Sequence, residues 1–534
     1  MPPVPTTPSS HTDVQPPPNA APQRRGRILS LLAILAIFLG IGAAVILECP
    51  PLWRDYDGLI QITSHPNDMV LLQYPAAYPF FSRLHIYAAE KVQGWRQHHK
   101  TSIRVKRVVV LNDAGIHALM ISQQIILALA LTALVWQGAQ SLGARGLMVA
   151  ILASNASIFI MANLISTEAL AVGLIIALAA ISVRLFRDPK WSVAGMVAYT
   201  VCLYVAIMTR HLNSILAMLL PLAFILRFVA EWIRTRRADV GLLKRIGIFV
   251  LLGLICIGGD RVTTRLLCRV FHVEYRDISA RATAERLGFV KAMPPAEEEA
   301  FLANLEKKTD DPVVKEAIPL LARPATWVQQ REEILKILEK QSPGADEEAL
   351  KVKADAYLDR VARLFFQTRS RYLIQDTLDS IWHGLGATTP TDVTMFYLKD
   401  GAWSIDLYAS HPEYAKKTSG LEVCSPAAKD RITAFETNPW LRLWAWAPHG
   451  LILLIGSVLA LIFLIAKIGE PAIPLFALAA AITAVTATCL TFVMTNYGAR
   501  FTTVADICAF LTLSLTLGHW LDSRRRSTVK AAGL

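Results

Sequence analysis

The sequence predicts an α-helical polytopic membrane protein of about ten transmembrane helices, with a mainly helical extracytoplasmic domain inserted between the seventh and eighth spans. Three observations lead there. Of 534 residues, 54% are hydrophobic and only 18% charged, where a soluble chain carries about a quarter charged. Ten apolar runs approach the roughly 20 residues a helix needs to cross hydrocarbon. Basic residues divide unevenly between loops on alternate sides, as the positive-inside rule requires. Disorder as the main state is thereby excluded, and an ordinary soluble enzyme disfavoured.

Residues 1–26 hold eight prolines among Ser, Thr and Gln and read as a disordered cytoplasmic tail. Arg24, Arg25 and Arg27 then precede the apolar run Ile28 to Leu47. That run is too long for a signal-peptide core, and Glu48 spoils a lipoprotein box, so it reads as the first span. Further runs lie near 114–137, 147–163, 168–186, 192–208, 212–230, 246–259, 445–466, 472–493 and 501–520. Two of them, 192–208 and 246–259, are short enough to be tilted or partly re-entrant.

With the N-terminus inside, the tails and the loops on that side hold 18 Lys and Arg, and the short loops opposite hold two, Arg210 and Arg500. Both termini are therefore expected in the cytoplasm. The net charge of +12 is then orientation signal; no Arg/aromatic-interleaved segment calls for nucleic acid. The expected organisation is a tail over 1–26, a membrane domain over 27–259 with about seven spans and an external loop at 48–113, a soluble external domain over 260–440, about three spans over 441–520, and a basic tail over 521–534.

The external domain carries 25 basic and 28 acidic residues, so it is near neutral in a basic chain. Its first part reads as helix: Glu332 precedes Lys336 by four residues, and acidic residues crowd the start of the run after Pro343-Gly344. The apolar, basic stretch with Phe365, Phe366, Arg369, Arg371, Tyr372 and Trp382 suits either a membrane-surface helix or a core helix. "TDVTMFYLKDGAWSIDLY" reads as a strand pair turning at Asp400-Gly401. Seven cysteines show no C-x-x-C spacing; Cys268 and Cys424 share the external domain and would be able to pair in an oxidising compartment.

The residues richest in chemistry follow the first span. Asp55 and Asp57 in "RDYDG" sit just outside the membrane after Pro50-Pro51. Carboxylates held there can take a proton from a hydroxyl or hold a divalent metal, or simply cap the next helix. Four polar clusters fall on the same expected side: His65 with Asp68; Asn163 and Glu168 in "NLISTEAL"; Arg210, His211 and Asn213 in "MTRHLNS"; and Asn496, Tyr497 and Arg500 in "TNYGARFTT". Arginines at the external end of a span suit an anionic phosphate, or lipid phosphates reached by snorkelling. Glu168 also suits the first turn of its helix, and His211 a structural partner. Asp506 falls inside the last run, where an ionised carboxylate costs about 2.5–3.5 kcal/mol, so it needs a partner, a proton or water.

In this order the motifs resemble the glycosyltransferase C superfamily, integral-membrane enzymes that use polyprenyl-phosphate-linked sugars, and within it relatives of protein mannosyltransferases and aminoarabinose transferases. The matching segments are "RDYDG", "QYPAAYPFFSRL", "STEALAVGL", "MTRHLNSILAMLLPLAFIL" and "NYGARFTTVADI", which cover about 28–230 and 490–520. Ala76 and His211 stand where the family motifs carry proline. The resemblance, which is to bacterial members, implies a glycosyltransferase of the inner (plasma) membrane, moving hexosyl or pentosyl groups to a lipid, glycan or protein acceptor at the extracytoplasmic face. Asp55 or Asp57 would be the general base, and Arg500, Arg210 and Tyr497 would lie by the donor phosphate. No cofactor is implied with certainty; a divalent metal at the aspartates is the other use for them. A transporter or lipid flippase, and a non-catalytic envelope assembly protein, are the competing classes.

Overall fold

The computed structural model describes residues 20–63, 75–96, 111–188, 192–237, 239–272, 293–322, 327–368, 377–379, 381–466, 472–494 and 502–531. Among them, seven helices are long and apolar enough to cross a membrane: Gly26–Glu48, Asp113–Gly138, Thr167–Arg187, His211–Thr235, Val240–Val270, Ala472–Leu490 and Thr503–Arg526. Three shorter apolar helices, Leu142–Ser154, Val193–Thr209 and His449–Ile465, join them. These ten correspond to the ten apolar runs. Val250, Leu251, Leu254, Ile255, Val262 and Leu266 of the Val240–Val270 helix stand exposed. Apolar surface left outward along a whole helix is what a lipid-facing helix presents.

Local signals set many helix ends. Asn112, Ser141, Ser192 and Asp239 each accept a backbone N–H from the first turn of the helix they precede. Two runs differ from their sequence reading. The run 246–259 is part of the 31-residue helix Val240–Val270, which continues past residue 259. The run 147–163 is not one straight span. It breaks at Asn155, whose side chain accepts from the Ser157 N–H and starts the short helix Ala156–Met161.

That break has a partner deep in the bundle. Asp506 is fully buried and is met by His449 Nε2 at 2.8 Å, Asn155 Nδ2 at 3.2 Å and the Ser157 hydroxyl. The intramembrane carboxylate is thus paired, across three segments far apart in sequence.

A correction concerns 390–410. The predicted strand pair is one helix, Pro390–Ser410. A capping box between Thr389 and Asp392, with Pro390 at the first helical position, starts it. The Asp400-Gly401 pair is not a turn: a Cβ at Gly401 would meet Leu52 Cδ2 at 2.8 Å, so the glycine serves close packing. This helix packs on β1 (Leu52–Trp53) and on the helix Asp55–Thr63.

The main apolar core runs through the bundle and takes in Leu385, Val393, Tyr397, Leu398 and Ile405. Residues 301–365 form a separate helical core that includes Val314, Ile318, Leu358 and Phe365. Phe365 is therefore a core residue, and Trp382 is exposed; Arg369, Arg371 and Tyr372 lie outside the described residues. Lys336 bonds Glu333, at 2.7 Å, in place of the expected Glu332. Cys268 and Cys424 are both free thiols.

A third apolar core, with Trp53, Leu59, Ile62, Ile86, Ile116, Ile165 and Tyr408, lies where the segment after the first apolar helix meets the one that leads into the helix Thr167–Arg187. A two-residue parallel ladder fastens that meeting point, with Leu52 opposite Leu164 and Trp53 opposite Ile165 of β2 (Leu164–Ile165).

Candidate functional site

The ladder delivers two chain segments in fixed register, and the residue after each matters. Arg54 directly follows β1; Ser166, Thr167 and Glu168 directly follow β2. Asn163 serves the turn before Arg54, its amide donating to the carbonyls of Cys49 and Pro50 at 3.0 Å each.

Arg54 Nη1 then reaches Glu168 Oε1 at 3.1 Å, and Arg54 Nη2 reaches Asp57 Oδ2 at 3.3 Å. Arg210 Nη2, arriving from the end of the Val193–Thr209 helix, reaches the same Glu168 Oε1 at 3.5 Å. The second Glu168 oxygen accepts from the Ser166 hydroxyl at 2.7 Å and the Thr167 hydroxyl at 3.2 Å. Glu168 does occupy the first turn of its helix, but its carboxylate is the hub of two ion pairs. Burial is graded outward: the side chains of Glu168 and Arg54 are 1% and 2% exposed, Arg210 11% and Asp57 20%.

Electrostatics follow from this packing. Burial alone would lower the Arg54 pKa, but Glu168, then Asp57, outweigh it and hold the guanidinium above its ordinary value. Tyr397, buried over the same charges, is pushed up to about 12, by burial first and then by the Glu168 carboxylate. Burial and Glu168 also raise Tyr78.

Gly58 explains the end of "RDYDG". A Cβ there would sit 2.6 Å from the Ile165 carbonyl oxygen, so the helix that carries Asp57 lies directly on β2. From the other side, Arg83 Nε donates to the Ile62 carbonyl at 3.1 Å at the end of that helix.

Of the residues singled out from sequence, Asp57, Glu168 and Arg210 converge within one ion-paired group. His211 sits beside it and pairs with Asp260, Nδ1 to Oδ2 at 3.1 Å. The side chain of Asp55 lies outside the described residues, as do His65, Asp68, Asn496, Tyr497 and Arg500. Sequence reasoning missed Arg54 and Tyr397. A signal existed for the first: Arg54 stands three residues before Asp57, one helical turn. Among the described residues, no three or more His, Cys, Asp or Glu come together in a way that would hold a metal ion.

No known family model and no curated protein sequence matches the chain. Solved structures are similar to it, two of them as follows. Both are of ArnT from Cupriavidus metallidurans. The apo form is 11% identical with a TM-score of 0.29, and the form bound to undecaprenyl phosphate is 12% identical with a TM-score of 0.30. Each comparison covers 92% of this chain and 78% of the other.

Proposed function

We propose that this chain is an integral-membrane glycosyltransferase that moves a sugar from a polyprenyl-phosphate carrier to an acceptor at the extracytoplasmic face. The observation that carries the proposal is the convergence on Glu168. "RDYDG", "STEAL" and "MTRH" are far apart in sequence, yet they place Asp57, Arg54, Glu168 and Arg210 in one buried, ion-paired group at an end of apolar helices.

The chemistry is a displacement at the anomeric carbon. The acceptor oxygen or nitrogen attacks that carbon, and the bond from the carbon to the phosphate oxygen breaks. Its electron pair stays on the carrier phosphate, and the acceptor's proton passes to a carboxylate. In this reading Asp57 or Asp55 takes the proton. Arg54 holds Asp57 in place, and Arg210, with Arg500, faces the developing phosphate charge. Glu168 positions both arginines and touches no substrate. Asp57 and Glu168 already face guanidinium groups, a donor set that leaves little for a divalent cation, and the proposed steps use none. The bilayer confines the carrier, which a prenyl chain keeps in the membrane, so the site must meet it at the interface.

The test is transfer from a panel of polyprenyl-phosphate sugars by the purified full-length protein, with Asp55→Asn, Asp57→Asn and the double variant. Loss of the base is expected to slow transfer about 100- to 10,000-fold. Wild-type rates in all three would end the assignment of the base, and no transfer by the wild type from any donor would return the chain to the transporter or assembly classes.

A further inference from the structure

At the other end of the Thr167–Arg187 helix, about 28 Å from Glu168 at 1.5 Å per residue, a second cationic site opens. Arg27, Trp136, Arg145, Arg184, Arg187 and Asp188 line a cavity of about 560 Å3. Four arginines against one aspartate leave an excess of three positive charges. Two of the arginines are braced. Arg145 lies over the Trp136 ring at 3.9 Å and donates from Nε to the Ala139 carbonyl at 3.2 Å. Arg187 Nη1 donates to the Gln137 carbonyl at 2.7 Å. Each bond uses one of the five N–H groups a guanidinium carries.

An apolar neighbour adjoins this cavity. Gln137 and Arg184 also line a second cavity, of about 510 Å3. That one is apolar and runs between the Asp113–Gly138, Thr167–Arg187 and Val193–Thr209 helices, past Ile126, Leu129, Ala133, Ala177, Ile181 and Ala198. Alanines on all three helices leave the groove open. A cationic chamber adjoining an apolar groove between membrane helices, with Gln137 and Arg184 lining both, matches one class of molecule in charge and in polarity. We propose that the pair of cavities binds a membrane lipid with a net-anionic phosphate head group. The head lies among Arg27, Arg145, Arg184 and Arg187, and a hydrocarbon chain lies in the groove. This site is separate from the Glu168 group and stands whether or not the chain is a transferase.

The shared chemistry is phosphate, so the experiment separates lipid from ion. Native mass spectrometry of the full-length protein is run with dioleoylphosphatidylglycerol, with dioleoylphosphatidylcholine, and with inorganic phosphate as competitor. The wild type is expected to retain the anionic lipid about tenfold more than the zwitterionic one. Arg145→Gln/Arg184→Gln should lose that preference, and Ala133→Phe/Ala198→Phe, which fills the groove from exposed positions, should lower retention about tenfold with the arginines intact. Equal retention of both lipids by the wild type overturns the proposal, and that arm holds even if a variant fails to fold. Unchanged retention in folded groove variants, or full displacement of the lipid by millimolar inorganic phosphate, would mark a plain ion site and also overturn it.

Discussion

Glu168→Gln isolates the charge at the hub of the site while keeping its shape. The amide still accepts from Ser166 and Thr167, but Arg54, 2% exposed, loses its 3.1 Å pair and is left with Asp57 at 3.3 Å. At an effective dielectric of 20, a pair at 3.1 Å carries on the order of 5 kcal/mol of attraction before desolvation is subtracted. Breaking one member of a buried pair costs about 3–5 kcal/mol, because the surviving charge stays out of water. We therefore expect a loss of about 3–5 kcal/mol for Glu168→Gln, read as a shift in denaturant-induced unfolding of the detergent-solubilised protein. The same argument fixes the sign of the double variant. In Arg54→Met/Glu168→Gln the stranded buried charge is gone, so part of the loss should return. Arg210 loses Glu168 as well, but at 11% exposure it has some access to water. A Glu168→Gln variant within about 1 kcal/mol of wild type, or a double variant whose losses simply add, would refute the hub.

Gly58→Ala should displace the helix that carries Asp57, since its Cβ would lie 2.6 Å from a backbone oxygen. A loss of about 1–3 kcal/mol is expected from overpacking, seen as a lower unfolding midpoint. Tyr397 makes stability depend on alkaline pH. Its folded pKa is pushed up to about 12, above the ordinary value near 10, so its contribution is whole below pH 10 and is lost as pH rises through 12. Unfolding midpoints measured between pH 9 and 11 should fall by on the order of 1 kcal/mol per unit above pH 10, and Tyr397→Phe should flatten that slope. His449→Ala removes one partner of the fully buried Asp506 and should cost about 1–3 kcal/mol. The same midpoint assay reads it, and a neutral result would mean that Asn155 and Ser157 satisfy the carboxylate alone.

Hydropathy made the helical bundle legible, because a run of about twenty apolar residues has few other solutions. Length and composition do not report what interrupts a run. Asn155 breaks 147–163 because Asp506, over 340 residues later, offers its side chain a partner. The misreading at Asp400-Gly401 has the same root. Asp-Gly is a turn signal only when nothing else explains the glycine, and here Leu52 does. Within the site, Asp57, Glu168 and Arg210 were legible as polar residues at the ends of apolar runs. Their mutual pairing was not, and neither was Arg54, whose importance comes from a buried pair with Glu168, 114 residues away and outside any local window. Asn163 was legible as polar and misleading as chemistry, since its amide holds two carbonyls.

The short ladder between Leu52 and Ile165 also has a bearing on biogenesis. A ribosome makes the first strand more than a hundred residues before its mate. Until the second emerges and docks, Arg54 has no Glu168 to meet, so the newly inserted N-terminal hairpin must wait with Asp57 as the nearby counter-charge to that cation. Closure of those four residues is therefore a commitment step. Nascent chains arrested before residue 164 should remain open to proteases at 50–58, and chains released past 170 should not.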